Sequence, residues 1–338
     1  MPLFAVKLFR FEYWTWWLFY LPLLPYYLWL AFKARSFTFF TAANPGIDAG
    51  GFFGEKKSEI LKLIDEKHKV KTIFISCSDT FDHVVLQIQK QNIGFPLIVK
   101  PDVGERGNGV QKIYSLEELR NLFREYAATD LLIQEFIDFK TELGILYYKQ
   151  PGNSTGEISS VVIKEFLKAE GDGARSILQL MQQNDRARIQ AKRLKKKMGN
   201  DIYRVPHEGE EVLLEPIGNH CLGTKFLNGN HLINKKLVNI FDKIVADIPG
   251  FYYGRFDLKV NSMEDLYDGK NIRIMELNGV SSDPAHIFHP GYSIVKAYRD
   301  LIKHWKIIYR ISISNMNSGT PPVSLKEIYN KMRIHFFK

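Results

Sequence analysis

The chain has 338 residues, enough for two or three lobes with their own cores, and its 45% hydrophobic and 25% charged content is that of a folded body. A formal charge of +9, from 46 basic and 37 acidic residues, suits an anionic partner; with no zinc pattern, recognition motif or aromatic RNA signature, no nucleic acid is expected. The two cysteines, Cys77 and Cys221, are far apart, make neither a disulfide framework nor a metal cluster, and fit a reducing compartment.

The aromatic residues crowd the beginning. Residues 13–32, YWTWWLFYLPLLPYYLWLAF, carry no charge, and about twenty apolar residues is the length a helix needs to cross a bilayer. Lys7 and Arg10 precede the run, Lys33 and Arg35 follow it, and Pro22 and Pro25 predict a kink. Residues 1–35 are therefore expected to attach the protein to the cytoplasmic face of a membrane, as a single kinked span or a shallow hairpin. The same composition also fits a buried helix.

Residues 36–43 read as a strand, 44–54 as a glycine-rich loop and 55–66 as an amphipathic helix. Residues 71–77 read as a second strand, with Asp79 capping a helix through Gln91. This alternation predicts a small α/β lobe over residues 36–94. FPLIVKP, at 95–101, opens the main body, expected over residues 95–310. Within it a helix at 115–127 and strands at 131–136, 142–148 and 158–167 lead to a basic helical stretch at 177–198. Two acid-bearing strands, at 254–260 and Ile272–Asn278, follow, and residues 311–338 form a basic tail broken at Pro321 and Pro322. The fold class is α+β.

Lys100 ends an apolar strand beside a loop with Gly104, Gly107 and Gly109. Glycines let backbone amides approach an anion and the lysine adds a full charge, although a hairpin exposing Arg106 uses the same residues. Downstream, Gln134 and Glu135 end a strand and Glu142 follows a bend, a pattern that offers backbone groups to an adenine edge and a carboxylate to ribose hydroxyls. An ordinary edge strand with solvated acids has the same pattern. Arg255 and Asp257 are two apart on one strand, Glu276 and Asn278 two apart on another, so each pair points one way. If the strands pair, three oxygen ligands suited to Mg2+, or Mn2+ in its place, converge with one arginine. Glu276 lies among Ile274, Met275 and Leu277, where a carboxylate needs a partner.

Taken in order, FPLIVKP, the glycine-rich loop, IQEFI with Glu142, RFD and MELNG resemble the ATP-grasp superfamily, in particular D-alanine–D-alanine ligase and cyanophycin-synthetase-like ligases, over residues 95–290. The resemblance implies that ATP is the cofactor, that Lys100 contacts its phosphates, and that the loop of Gly104, Gly107, Asn108 and Gly109 closes over them. It implies that Gln134, Glu135, Phe136 and Ile137 line the adenine pocket and that Glu142 holds the ribose. Arg175, in EGDGARS, stands where a phosphate-binding lysine is common, and the lysine the family carries upstream of FPLIVKP has no assigned counterpart. Asp257, Glu276 and Asn278 would hold the metal, and Arg255 the tetrahedral oxyanion. With Lys100 and Arg175 neutralising phosphoryl charge, the expected reaction is ATP-dependent activation of a carboxylate as an acyl phosphate and its capture by an amine, on a lipid-linked or amphipathic substrate if the chain sits on a membrane. A kinase that stops at phosphoryl transfer, or a non-catalytic nucleotide-binding scaffold, are the alternatives.

Substrate contacts are expected from Asn219, His220 and Thr224, and from Ser281, Ser282 and His286. Asp283 and His289 stand beside the latter group without an acid–base role. Cys221 is expected to be a small buried residue rather than a nucleophile. The cationic helix at 186–199 suits a solvated face, a phosphate or anionic headgroups.

Overall fold

The computed structural model describes residues 2–336 apart from Phe53, Glu105, Arg106 and Asn108, with side chains in the last helix to residue 333. Its strands are β1 (Thr72–Ile75), β2 (Leu97–Pro101), β3 (Gln111–Ile113), β4 (Leu131–Glu135), β5 (Thr141–Tyr148), β6 (Glu157–Glu165), β7 (Leu167–Glu170), β8 (Glu211–Glu215), β9 (Lys225–Asn228), β10 (Tyr253–Val260) and β11 (Ile272–Asn278). Its α-helices are α1 (Leu3–Phe9), α2 (Trp16–Tyr20), α3 (Leu24–Ala34), α4 (Lys57–Lys62), α5 (Phe81–Lys90), α6 (Leu116–Glu125), α7 (Ile177–Met181), α8 (Asp185–Met198), α9 (Lys235–Ala246), α10 (Met263–Asp268), α11 (Ile294–Asn317) and α12 (Leu325–Phe336).

Every strand pairing is antiparallel, which makes the fold α+β. One sheet has the order β1-β4-β2-β3, a second β11-β10-β5-β6-β9, and β7 with β8 forms a separate two-stranded sheet. Helices α5 to α10 each begin at a Ser, Thr or Asn whose side chain accepts a first-turn amide: Thr80, Ser115, Ser176, Asn184, Asn234 and Ser262. The cap at Asn184 splits the basic stretch, expected as one helix, into α7 and α8. Thr80, not Asp79, caps α5; Asp79 accepts from the Ser76 amide. Residues 36–43, expected as a strand, instead form a buried 3-10 turn at Phe39–Ala43.

The five-stranded sheet divides its two faces sharply. Leu143, Ile145, Tyr147, Phe256, Leu258 and Val260 face one core, completed by Leu237, Phe241 and Leu266 of α9 and α10. On the opposite face Leu146, Tyr148 and Tyr253 pack under Leu30, Ala31, Phe39 and Phe40 and under Ile307, Ile308 and Ile311 of α11. Farther along that face the alternation of β5 and β10 delivers Glu142, Gly144, Arg255 and Asp257 instead.

The expected membrane location is overturned. No described helix is long and apolar enough to cross a membrane. The uncharged run is broken into α2, a 3-10 turn at Leu21–Leu23 that contains Pro22, and α3, whose 11 residues rise only about 16 Å. Phe19, Leu23, Leu30, Ala31 and Ala34 are buried against the protein itself, while Trp16, Trp17, Leu21 and Phe32 of the same segment are exposed. The flanking cations are also used internally: Lys33 lies 4.7 Å from the Trp29 ring centre, and Arg10 is 3.7 Å from Asp185.

Candidate nucleotide and metal site

The two acid-bearing strands pair, as their pattern requires, with Asp257 opposite Glu276 and Arg255 opposite Asn278. A β-bulge after Asp257 skips Met275 in the register, which is why the apolar neighbours of Glu276 fall on both parities. The Met275 carbonyl accepts from Lys100 Nζ at 3.2 Å and Gln134 Nε2 at 3.4 Å, so β2 and β4 of one sheet meet β11 of the other there.

Asp257 is the hub. Its Oδ2 accepts from Arg255 Nη2 at 3.0 Å and Asn278 Nδ2 at 3.1 Å, and Lys164 Nζ stands 3.0 Å from Oδ1. Lys164, opposite Glu142 on β6, also reaches Glu142 Oε1 at 2.9 Å. Burial opposes the charge on Asp257, but Arg255 and Lys164 outweigh it and hold the carboxyl at about 2. Burial likewise opposes the charge on Lys164, yet Asp257 and Glu142 raise it above the usual lysine range. Lys100, 6% exposed, is pushed down to about 8 by burial, with Glu276 offsetting part of the loss and Lys57 adding to it.

At the root of the glycine-rich loop, Asp102 accepts from the Ser58 amide at 2.7 Å and the Ser58 hydroxyl at 2.8 Å, and so ties the loop to the start of α4. Lys57 of the same turn donates to the Gly104 carbonyl. Gly107 and Gly109 adopt φ of 72° and 73°, a region glycine enters freely. Asn108, expected at the nucleotide, lies outside the described residues.

At the strand end expected to meet adenine, Gln134 donates to Thr72 Oγ1 at 2.9 Å and Glu135 accepts the Lys71 amide. Phe136 lies under Lys112 Nζ at 3.4 Å, and the Ile137 carbonyl takes Lys259 Nζ at 2.9 Å. Burial lowers the pKa of Lys259. Arg175 is turned toward its own loop, with Nε 2.5 Å from Asp172 Oδ2.

Among the substrate candidates, Thr224 donates to the Ile217 carbonyl and Ser282 to the Asn278 carbonyl. His286 sits between Ser160 at 2.8 Å and Asp300 at 3.3 Å. All three are buried and hold loops in place. Ser281 is exposed, with its amide on the Gly51 carbonyl; Asp283 meets Tyr20, and His289 accepts the Asn228 amide. Asn219 and His220 lie on the loop that covers Glu142. Cys221 is exposed, not buried as expected. Three cations of α8 pair with acids inside the protein, Arg193 and Lys197 with the buried Glu215 and Arg186 with Glu12, while Lys192, Lys195 and Lys196 are exposed.

Four residues at the site escaped sequence reasoning. Lys164 and Lys259 look like ordinary strand lysines until the register sets them beside Glu142. Gly144 looks unremarked in an apolar strand, although an interior strand glycine is a signal of close approach. Lys57 is one of two adjacent lysines, and only the fold brings it to the loop.

The residues fit an oxygen-ligated cation. The Oδ1 of Asp257 is buried without an aligned hydrogen bond, and Lys164 meets it as an ion pair only. Asp257, Glu276 and Asn278 supply hard donors on adjacent strands. No cluster of three His, Cys, Asp or Glu able to hold a metal occurs among the described residues, so such a cation would draw its other ligands from phosphates and water.

No family model matches the chain. It is 33% identical over 84 residues to the coenzyme gamma-F420-2:alpha-L-glutamate ligase of Methanocaldococcus jannaschii, covering 25% of this chain and 29% of that protein. It is 26% identical over 165 residues to the formate-dependent phosphoribosylglycinamide formyltransferase of Prochlorococcus marinus, covering 47% and 41%. The matches thus span less than half the length of these curated relatives. Among solved structures, D-alanine–D-alanine ligase from Bacillus anthracis aligns over 78% of this chain and 69% of that one, with 15% identity and a TM-score of 0.43. The ligase from Coxiella burnetii aligns over 86% and 64%, with 8% identity and a TM-score of 0.44. Neither structural likeness is close enough to carry an assignment.

Proposed function

With resemblance to ATP-grasp ligases as the premise, we propose that this chain binds ATP with a divalent cation where its two sheets meet, and spends the γ-phosphate on activating a carboxylate that an amine then attacks. The observation that carries the reading is the convergence of Asp257, Glu276, Asn278 and Arg255 on one sheet face beside the buried Lys100.

Asp257, Glu276 and Asn278 would hold Mg2+, or Mn2+, which would supply a Lewis acid for the phosphate oxygens. Lys100 releases the Met275 carbonyl for the phosphates, and the anion restores the full charge that burial weakens. Lys57, on the Gly104 carbonyl, adds a second cation at the glycine-rich loop. Arg175 joins by exchanging Asp172 for phosphate, a modest loss because the pair is partly exposed to water. Transfer of the phosphoryl group makes the carboxylate an acyl phosphate with a good leaving group. Arg255, fixed by Asp257, then stabilises the oxyanion that forms as the amine attacks. Without a membrane location, no feature of the described residues points to a lipid-linked substrate.

Hydroxylamine, which captures acyl phosphates as hydroxamates, tests this without knowledge of the amine. Purified protein with ATP, Mg2+ and a carboxylate panel should yield a hydroxamate and ADP from at least one acid. A stable phosphorylated product that never forms hydroxamate would favour the kinase reading. ATP binding without turnover across the panel would favour a scaffold.

A further inference from the structure

Residues 217–224 run over the proposed ribose carboxylate. A Cβ added at Gly218 would stand 2.1 Å from Glu142 Oε1, so the loop backbone lies directly on that group. The next residues press on the glycine-rich loop, where a Cβ at Gly107 would lie 3.2 Å from both Asn219 Nδ2 and Leu222 Cδ1. Ribose hydroxyls reach Glu142 only when this cover lifts.

The cover is held from α8 and from the start of the chain. Gln190 donates to the Cys221 carbonyl at 2.8 Å, Arg193 to that of Leu222 at 3.0 Å, and Arg186 to that of Thr224 at 3.2 Å. The other arm of the Arg186 guanidinium meets Glu12 Oε2 at 2.5 Å. His220 Nε2 lies 3.9 Å from that same oxygen, and its ring packs on Phe226 and Phe288. Glu12 and Arg186 are both buried, with side-chain exposures of 5% and 8%, so one carboxylate near the amino terminus balances the cation that pins the far end of the loop.

We infer that Glu12 is a positioning residue for the nucleotide site: through Arg186 it latches residues 217–224 shut over Glu142, and nucleotide enters when the latch opens. This rests on the nucleotide reading of Glu142. It also gives the aromatic amino-terminal segment a part in the chemistry, as the strap that brings Glu12 to the loop.

The test compares the full-length protein with Glu12→Gln, which keeps the shape and removes the charge, and with Glu12→Asp. Hydrogen exchange reads the loop directly. Glu12→Gln should speed exchange of the 217–224 amides about tenfold or more, the scale of a lost charged hydrogen bond. Amides of β10 and β11 should keep wild-type rates, and Glu12→Asp should restore part of the protection. With Mg2+ present, stopped-flow mixing with unmodified ATP, read by the protein's tryptophan fluorescence, should show a similarly faster association. Unchanged loop exchange, or loosening spread evenly over the chain, overturns the latch. Loop loosening with no binding of ATP by either protein keeps the latch and overturns the nucleotide reading instead.

Discussion

Gly144 is a sensitive test of the site's geometry because it is neither a candidate ligand nor a loop residue. It lies in β5 opposite Asp257 on one side and Val162 on the other. A Cβ there would stand 2.7 Å from Val162 Cγ1, 3.2 Å from Asp257 Oδ1 and 3.3 Å from Arg255 Cδ. Val162 is fully buried and has nowhere to go, so Asp257 and Arg255 must shift by a few tenths of an ångström. Overpacking of this kind costs about 1–3 kcal/mol, which denaturant unfolding of Gly144→Ala measures. If a misplacement of 1 Å costs about a hundredfold, a shift of a few tenths weakens Mg2+-dependent nucleotide binding roughly three- to tenfold by calorimetry. Adding Val162→Ala removes the nearest clash, so the double variant should recover stability more fully than affinity. A Gly144→Ala protein with unchanged unfolding midpoint and unchanged nucleotide affinity would refute the packing drawn around Asp257.

Other perturbations test separate parts of the account. Leu30 is 1% exposed in the core shared by α3 and α11, so Leu30→Ala should cost about 2–5 kcal/mol in denaturant unfolding; a cost within about 0.5 kcal/mol, as at a surface position, would contradict that packing. Asp257 titrates at about 2 in the folded chain against an ordinary 3.8, so its contribution is complete above the ordinary value and is lost as pH falls toward 2. Asp257→Asn should therefore flatten the acid limb of the stability curve, and an unchanged limb would refute the ion pairs. Lys100 titrates at about 8 against 10.5, so between those values the unfolded chain holds a proton the folded chain has released, and stability rises with pH. Nucleotide affinity should fall over the same range, and Lys100→Met should abolish both trends.

The pairing of the two acid-bearing strands was legible because alternation fixes which side chains share a face, and a carboxylate within an apolar strand needs a reason to be there. Glu276 carried that signal by itself. The same logic failed where partners come from distant segments. Lys164 is an ordinary lysine at a strand end until β6 pairs with β5, and Lys57 acquires meaning only when Asp102 fixes α4 to the glycine-rich loop. The amino-terminal run misled because length and apolarity describe a bilayer-facing helix and a buried strap equally well. What separates them is tertiary: Glu12 is buried on Arg186, and α3 has a partner in α11. Helix α11 was hidden for a related reason. Its buried positions, Ala297, Leu301, His304, Ile308, Ile311 and Asn315, recur every three or four residues, but the basic side chains between them gave the segment the composition of a tail.

Calorimetric titration of ATP into the protein with and without Mg2+, repeated with Glu276→Gln, tests the central claim most directly. The account predicts that Mg2+ tightens binding at least tenfold in the wild-type chain and that Glu276→Gln loses most of that gain while keeping its fold, the scale expected when one charged ligand is removed. Nucleotide binding indifferent to the cation, or a cation effect that survives Glu276→Gln intact, would contradict it.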